Sequence, residues 1–212
     1  MGYITVQAFK LSGREYMYSK ILVILGALSL ATAAFAADYD VDPAHSHVGF
    51  TVKHLVGKVP GEFKDYTGKF SFDDKKPAIF SANFTIKTAS ISTGNEKRDE
   101  HMKSPDFFDV KKFPEITFVS TSFKSSGAKK YKLLGNVTMH GVTKPVTFDV
   151  EYMGAEKDPW GNMRAGFTAT TKVDRKDFGI IWNKTLDSGG LMVGNDVSIE
   201  LNIEATQTAA KK

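Results

Sequence analysis

The residues best suited to chemistry by type and spacing are two histidines, His45 and His47, which lie one position apart. Alternate residues of a β-strand share a face, so a strand here would present both imidazoles together, as a metal site requires. That face is the polar one, opposite Val48 and Phe50, and no third ligand is evident nearby in the sequence. The pattern favours solvent-facing histidines, and we expect no metal.

Nucleophilic catalysis has little support in the sequence. Ser46 lies between the two histidines, but neighbouring residues of a strand point to opposite faces and cannot form a nucleophile–base pair. The chain has no Gly-x-Ser-x-Gly elbow. It also has no cysteine, which excludes thiol catalysis and thiolate metal sites. We therefore expect no catalytic residues.

A second polar group comprises Arg98, Asp99 and His101, next to the apolar Met102. On a helical turn these side chains would lie together. They can anchor the turn to a neighbouring element by ion pairs and hydrogen bonds, or they can meet the polar head of a ligand. The composition favours the structural role without excluding the other.

The segment that carries this group is the one part of the chain without a strand pattern. Thr93 and Glu96 have the spacing of a capping box, in which each side chain satisfies an amide at a helix start. Ser104-Pro105-Asp106 offers a second start, with a hydroxyl cap and proline at the first helical position. We predict two short helical turns at about 94–109, crossing between two groups of strands.

Outside this crossing, apolar and polar residues alternate with the period of a strand buried on one face. The prolines lie between or at the ends of these runs, and 57–61 is predicted to be a turn. No run is apolar on both faces, which indicates antiparallel pairing. About eight strands with one apolar face fit either a sandwich or a closed barrel. The runs are 48–52, 70–72, 80–86, 116–118, 133–139, 146–152, 165–173 and 197–205.

The inward faces of these strands are unusually aromatic, since the chain has 16 phenylalanines. Such faces can form a packed core or the wall of an apolar pore, and the pattern alone does not distinguish them. No charge occurs among the inward positions, and an apolar wall would suit a tail without hydrogen-bonding groups, because an unpaired polar group there is costly. Our candidate pore residues are Val48, Phe50, Val52, Phe84, Ile86, Phe118, Val137, Phe148 and Phe167, with Phe107 and Phe108 at one end beneath the crossing.

The N-terminal part of the chain is predicted to be a targeting segment. An apolar run at 21–30 follows Lys20 and precedes Ala34-Phe35-Ala36, a small-x-small cleavage site. The run is too short to span a bilayer. We therefore predict a signal peptide at 17–36 and an exported protein. Residues 1–16 are predicted to be an extension from a start codon placed too far upstream, and 208–212 a C-terminal tail.

The charge balance argues against nucleic acid as a partner. The formal net charge of the whole chain is +4. Removal of residues 1–36 takes away Lys10, Arg14 and Lys20 against Glu15, which reduces the net charge to +2. Nucleic-acid binding would need a basic stripe, and charges of both signs are interspersed here.

Several short motifs, in order along residues 38–207, make the chain resemble the YceI-like family. They are Asp42-x-x-His45-Ser46-x-Val48-x-Phe50, Val52-Lys-His54, Gly61-x-Phe63, Arg98-Asp-x-His101, Phe107-Phe-Asp109, Pro114-x-Ile-x-Phe118, Gly141-Val-Thr-Lys-Pro-Val146 and Arg175-x-Asp-Phe-Gly179. The resemblance implies an extended, antiparallel, eight-stranded, lipocalin-like barrel whose pore holds a polyisoprenoid chain, as found on isoprenoid quinones. It implies a periplasmic binding protein without a cofactor, not an enzyme. Arg98, Asp99 and His101 carry over as motif positions only.

The resemblance thus predicts a carrier for a prenyl lipid, serving transport, storage or a stress response, with transient membrane contact. Two alternatives stay open: an enzyme that modifies such a lipid, and a structural stress-response module with a packed barrel. The oligomeric state is also open, a homodimer included. A lipid that leaves a membrane is already out of water, so most of the usual hydrophobic gain is absent. That favours a shuttle or reservoir over a tight sink.

Overall fold

In a computed structural model of the protein, residues 36–73, 76, 80–187 and 189–208 are described. The predicted upstream extension lies outside the described residues. So do the predicted signal peptide, apart from Ala36, and the predicted tail, apart from Thr208. The statements below concern the barrel domain.

The described chain is mostly β-strand, with one short α-helix, α1 (Glu96–Lys103). Three 3₁₀ turns, at Pro43–His45, Thr88–Ser90 and Arg175–Phe178, lie between strands. The strands are β1 (Ala37–Val41), β2 (His47–His54), β3 (Gly57–Phe63), β4 (Tyr66–Phe72), β5 (Ser81–Lys87), β6 (Ile91–Ser92), β7 (Glu115–Gly127), β8 (Lys130–Met139), β9 (Val142–Lys157), β10 (Met163–Asp174) and β11 (Val193–Gln207).

The eleven strands form one closed antiparallel sheet. The last strand, β11, pairs with both β1 and β2, which therefore lie end to end as one barrel strand. In the same way β3 continues into β4 and β5 into β6, because β2 pairs with β3 while β1 pairs with β4. Eleven segments thus make eight barrel strands, which confirms the predicted all-β, eight-stranded antiparallel barrel.

The prediction of a turn at 57–61 is wrong, because these residues begin β3. Pro60 lies inside that strand, opposite Thr51 of β2. Beyond β3, the short β6 pairs only at Glu62 and Phe63 in the described part of the chain. Pro60 therefore occupies a stretch with an edge-like outer side, where a missing N–H is tolerated. The glycines and proline that suggested a turn are edge-strand features.

The helical crossing is present, but its predicted caps are wrong. Asn95 caps α1, since its side chain accepts a hydrogen bond from the Arg98 backbone N–H. Ser104 does not begin a second helix. It is the C-cap of α1, with its backbone N–H and its hydroxyl both donating to the His101 carbonyl, at 3.1 and 2.8 Å. The chain then continues in turns rather than in a helix.

One end of the barrel is packed solid by rings, which we call the aromatic plug. Its central member, Phe72, makes edge contacts with several neighbours, including Tyr152 with 5.0 Å between ring centroids. Phe80 stacks on Phe123 at 4.1 Å. Rings in such arrangements add stabilisation beyond their buried area. The plug consists of Tyr39, Phe70, Phe72, Phe80, Phe123, Tyr131, Tyr152 and Phe167. The opposite end, which carries α1, we call the cover end.

Candidate ligand-binding cavity

The barrel is hollow between the aromatic plug and the cover end. The cavity has a volume of about 500 Å³, within the range of about 300–1,000 Å³ usual for small-molecule sites. Its floor includes Phe70, Phe80 and Phe167 of the plug. All eleven candidate pore residues line it: Val48, Phe50, Val52, Phe84, Ile86, Phe107, Phe108, Phe118, Val137, Phe148 and Phe167. That they contact a ligand stays a prediction.

Inward-facing glycines keep the cavity open. Gly61 lies directly opposite Phe50 on the neighbouring strand, and Gly68 lies opposite Phe84. A Cβ added to Gly61 would lie 2.3 Å from Phe50 Cζ, and one added to Gly68 would lie 2.5 Å from Phe84 Cε1. Each ring thus occupies the space that a side chain would take on the next strand. The rings lie against the wall rather than across the bore.

The cover end carries a ring cluster. The rings of His101, Phe107 and Trp182 meet with centroid separations of 4.9–5.1 Å. Phe108 packs edge-on against Phe63 of β3 at 5.6 Å. The phenylalanine pair therefore lies beneath the helical crossing, where the sequence placed it.

The polar group on α1 is largely engaged in holding the crossing together. Asp99 accepts hydrogen bonds from the backbone N–H and the hydroxyl of Thr93, at 2.8 and 2.5 Å. Arg98 donates to the Thr93 hydroxyl and carbonyl, at 2.7 and 2.8 Å. His101 Nε2 lies 2.8 Å from a carboxylate oxygen of Asp106. Arg98 and His101 also border the cavity. Their hydrogen bonds are structural, but their position would also let them meet a ligand.

The alternation did not predict a buried cation at the cavity wall. Arg175 follows β10 and is only 5% exposed. Its Nε donates to the Gly194 carbonyl at 3.0 Å, and its Nη1 donates to the Ile180 and Trp182 carbonyls at 2.8 Å. Its Nη2 has no hydrogen-bond partner among the described residues. Burial lowers the pKa of the Arg175 guanidinium, and the nearby charge of Asp174 partly opposes this.

The charged side chains that border the cavity are all basic within the described part of the protein. They are Lys97, Arg98 and Arg175, with His54 and His101 as further nitrogen-bearing groups. The candidate pore residues carry no charge, and the charged groups that border the cavity lie at the cover end. The cavity is apolar along its length and basic at one end.

The two histidines do not share a strand face, which corrects the sequence interpretation. His45 ends a 3₁₀ turn, because Asp42 caps that turn and Pro43 begins it. The His45 Nδ1 atom lies 2.8 Å from Asp42 Oδ2. His47 begins β2, where its Nδ1 lies 3.3 Å from a carboxylate oxygen of Glu62.

Two carboxylates that the sequence analysis did not propose as ligands lie beside His45. Ligand atoms of Asp42, His45 and Glu204 fall within 4.8 Å of one another. Arg164 bridges the two carboxylates, with its Nη1 2.8 Å from Asp42 Oδ2 and 2.6 Å from Glu204 Oε1. Hydrogen bonds from Arg164 and His45 lower the pKa of Asp42 to about 2, so the carboxylate is ionised at neutral pH. The arrangement is an ion-pair network, and the absence of a metal stays a prediction.

The described residues include no helix long and apolar enough to cross a membrane.

The fold and the cavity define the class of protein: an antiparallel eight-stranded barrel with an apolar interior, closed at one end and basic at the other. The model of the YceI-like domain matches residues 39–205, and the chain belongs to this family, which confirms the resemblance.

Similar proteins come from several bacteria. A UPF0312 protein of Pseudomonas putida is 47% identical over 163 residues, covering 73% of this chain and 85% of its own. The crystal structure of BcnA from Burkholderia cenocepacia superposes with a TM-score of 0.70 at 28% identity, covering 78% of this chain and 99% of BcnA. A polyisoprenoid-binding domain from Saccharophagus degradans shares the fold at 13% identity and a TM-score of 0.59, covering 82% and 99%.

Proposed function

We propose that this protein is a binding and carrier protein that holds a long isoprenoid chain, such as that of an isoprenoid quinone, inside its barrel. The observation that carries the proposal is the apolar cavity of about 500 Å³ between the aromatic plug and the cover end. A prenyl tail has no hydrogen-bonding groups, so a wall of Val, Ile and Phe side chains suits it. The related fold of a polyisoprenoid-binding domain supports the same ligand class.

The energetics favour exchange over permanent capture. Burial of apolar area contributes about 25 cal/mol per Å² relative to water, which is a large sum for a long tail. A tail that comes from a membrane has already realised that gain. The free energy of the tail in the cavity then needs only to equal that in the bilayer. Contacts between the protein and the head group can make the bound state the more favourable one. Transport or storage fits this better than a sink does.

The two alternatives have less support. A stress-response module with a packed barrel does not account for an interior that is packed at the plug and hollow beyond it. An enzyme acting on the prenyl chain would need an acid, base or nucleophile placed along the cavity. The polar cavity-lining groups lie at the cover end, and Arg98 and His101 there are paired within the crossing. We therefore favour binding without turnover.

We further propose that ligand enters from a membrane at the cover end. Leu55 and Val56 form the exposed tip between β2 and β3, and Val56 is fully exposed. The Leu55 backbone N–H donates to the Met192 carbonyl at 3.0 Å, which places exposed Leu191 beside the tip. Met192 itself lines the cavity. These three exposed apolar residues, the entry patch, suit transient bilayer contact.

A periplasmic site of action is part of the proposal, and its support is the predicted signal peptide. An exported carrier would meet prenyl lipids at the membranes that bound that compartment. This function does not require oligomerisation, because the cavity is lined by a single chain.

Extraction of ligand from the purified protein tests the proposed function. We expect the protein, exported by a Gram-negative host and purified without detergent, to release about one prenyl lipid per chain into chloroform–methanol. Mass spectrometry identifies it, and its mass should stay unchanged after long incubation with the protein. Folded protein without any lipid would overturn the carrier proposal, and steady conversion of the lipid would favour the enzyme.

A further inference from the structure

We propose that Arg175 binds the head group of the ligand, and that this head offers a negatively charged oxygen, as a phosphate or a carboxylate does. The inference rests on the proposed function, since it assumes that a chain occupies the cavity. It narrows the chemical class of the head to an anionic one, which excludes the neutral quinone given above as an example, and it adds the direction in which the chain lies.

The first step is the unused donor of Arg175. The guanidinium is held rigidly by three backbone carbonyls, those of Ile180, Trp182 and Gly194. Nη2 has no partner among the described residues, although the side chain is 95% buried and borders the cavity. A buried donor without a partner is unfavourable by about 1–3 kcal/mol, so native proteins rarely leave one unless a ligand or water satisfies it.

The second step is the sign of the charge. The partners of Arg175 are neutral carbonyls, and none of the described cavity-lining residues is acidic. Lys97 and Arg98 also border that end, but both are exposed, so water screens their charge. The nearby charge of Asp174 offsets only part of the cost of burying the Arg175 guanidinium. In a region of low polarity such a buried cation attracts an anion more strongly than it attracts a neutral acceptor. Arg175 therefore selects heads by charge.

The third step is the direction of the chain. Arg175 follows β10 at the cover end, whereas the aromatic plug closes the other end of the bore. With the head at Nη2, the tail can lie along the apolar wall toward Phe70, Phe80 and Phe167, which line the same cavity. The ligand thus lies with its head near the entry patch and its tail against the plug.

Three probes with one identical C20 tail test the proposal: geranylgeranyl phosphate, geranylgeraniol and geranylgeranylamine. They are delivered from cyclodextrin to delipidated protein. The readout is Trp182 fluorescence, because Trp182 lines the cavity. Trp160, 81% exposed at the plug end, is replaced by Phe in all variants to leave one reporter. We expect the phosphate to bind about tenfold to a hundredfold more tightly than the alcohol, and the amine most weakly.

The variant Arg175→Met should remove most of the phosphate-over-alcohol ratio, and Arg175→Lys should retain part of it. The ratio is measured within each variant, so a loss of stability or of folded fraction cancels. Lys97→Met is the matched control, since it removes one positive charge from the same cavity but keeps Nη2. It should change the ratio by less than about threefold, as expected for an exposed charge.

Two results would overturn the inference: no phosphate preference in the parent protein, or an equal loss of preference in Arg175→Met and Lys97→Met. Both leave binding of the alcohol intact, and so they are distinct from failure of the proposed function. Failure of the proposed function would appear as no binding of any of the three probes.

Discussion

At the scale of single residues, the open bore depends on glycines that face the aromatic side chains. Phe50 can lie flat only because Gly61, its partner on β3, has no side chain. The nearest atoms to an added Cβ at Gly61 all belong to the Phe50 ring, at 2.3–2.8 Å. A methyl group there would displace the ring and would leave the backbone in place.

We therefore predict that Gly61→Ala folds normally but holds less ligand. The Phe50 ring would turn into the lumen and take space that the ligand needs. Overpacking of this kind typically costs about 1–3 kcal/mol, and we expect that cost to weaken ligand binding. Bound lipid per folded chain measures the effect. Gly57→Ala in the same strand is the control, because its Cβ would approach only the His54 carbonyl, at 3.9 Å. Equal lipid content in both variants would contradict the role of Gly61.

Alternation located the nine candidate residues on strands because inward positions on a strand repeat every two residues. It could not locate Arg175, since that arginine lies beyond the end of a strand and is buried by carbonyls from residues 180, 182 and 194. Its partners are brought together by the tertiary fold. The same holds for Arg164, Asp42 and Glu204, which are far apart in sequence.

At the scale of elements, the β2–β3 hairpin joins the cavity wall to the surface. Its strands carry Val48, Phe50 and Phe63 inward, while its tip exposes Leu55 and Val56. Leu55 adopts a positive φ of 51°, the left-handed backbone conformation of a tight turn. The hairpin therefore ends in an apolar tip that is exposed to solvent.

We predict that Val56→Asp slows the transfer of a fluorescent prenyl lipid from vesicles to the protein by roughly an order of magnitude, the loss expected for one buried valine. Equilibrium affinity should stay unchanged, because Val56 lies outside the cavity lining. The control is Trp160→Asp, an exposed apolar residue at the plug end. If both variants transferred lipid at the parent rate, the entry patch would not be the membrane contact.

Elements were predicted well in kind and less well at their boundaries. The helical crossing lies where the capping signals placed it, yet Asn95 rather than Thr93 caps α1, because the Thr93 hydroxyl is bonded to Asp99. The glycines and proline of 57–61 suggest a turn, but both residue types are also tolerated on edge-like strands. Local composition does not distinguish the two cases.

At the scale of the whole molecule, the interior of the barrel has two regions, one packed and one hollow. The aromatic plug supplies the packed core, and the remainder of the barrel leaves space for a ligand. Sequence periodicity predicted the inward faces but not this division. A packed core and a pore have the same inward residues, so only the closure of the sheet and the positions of the rings separate them.

The most direct test of the central claim narrows the bore at one inward position. Val137 on β8 lines the cavity, whereas Leu134 on the same strand is exposed. We predict that Val137→Trp stays folded by circular dichroism but carries a shorter lipid or none, as read by native mass spectrometry of detergent-free protein. Leu134→Trp should carry the parent ligand at parent occupancy. A folded Val137→Trp variant with unchanged ligand length and occupancy would contradict the claim that the chain lies in the barrel.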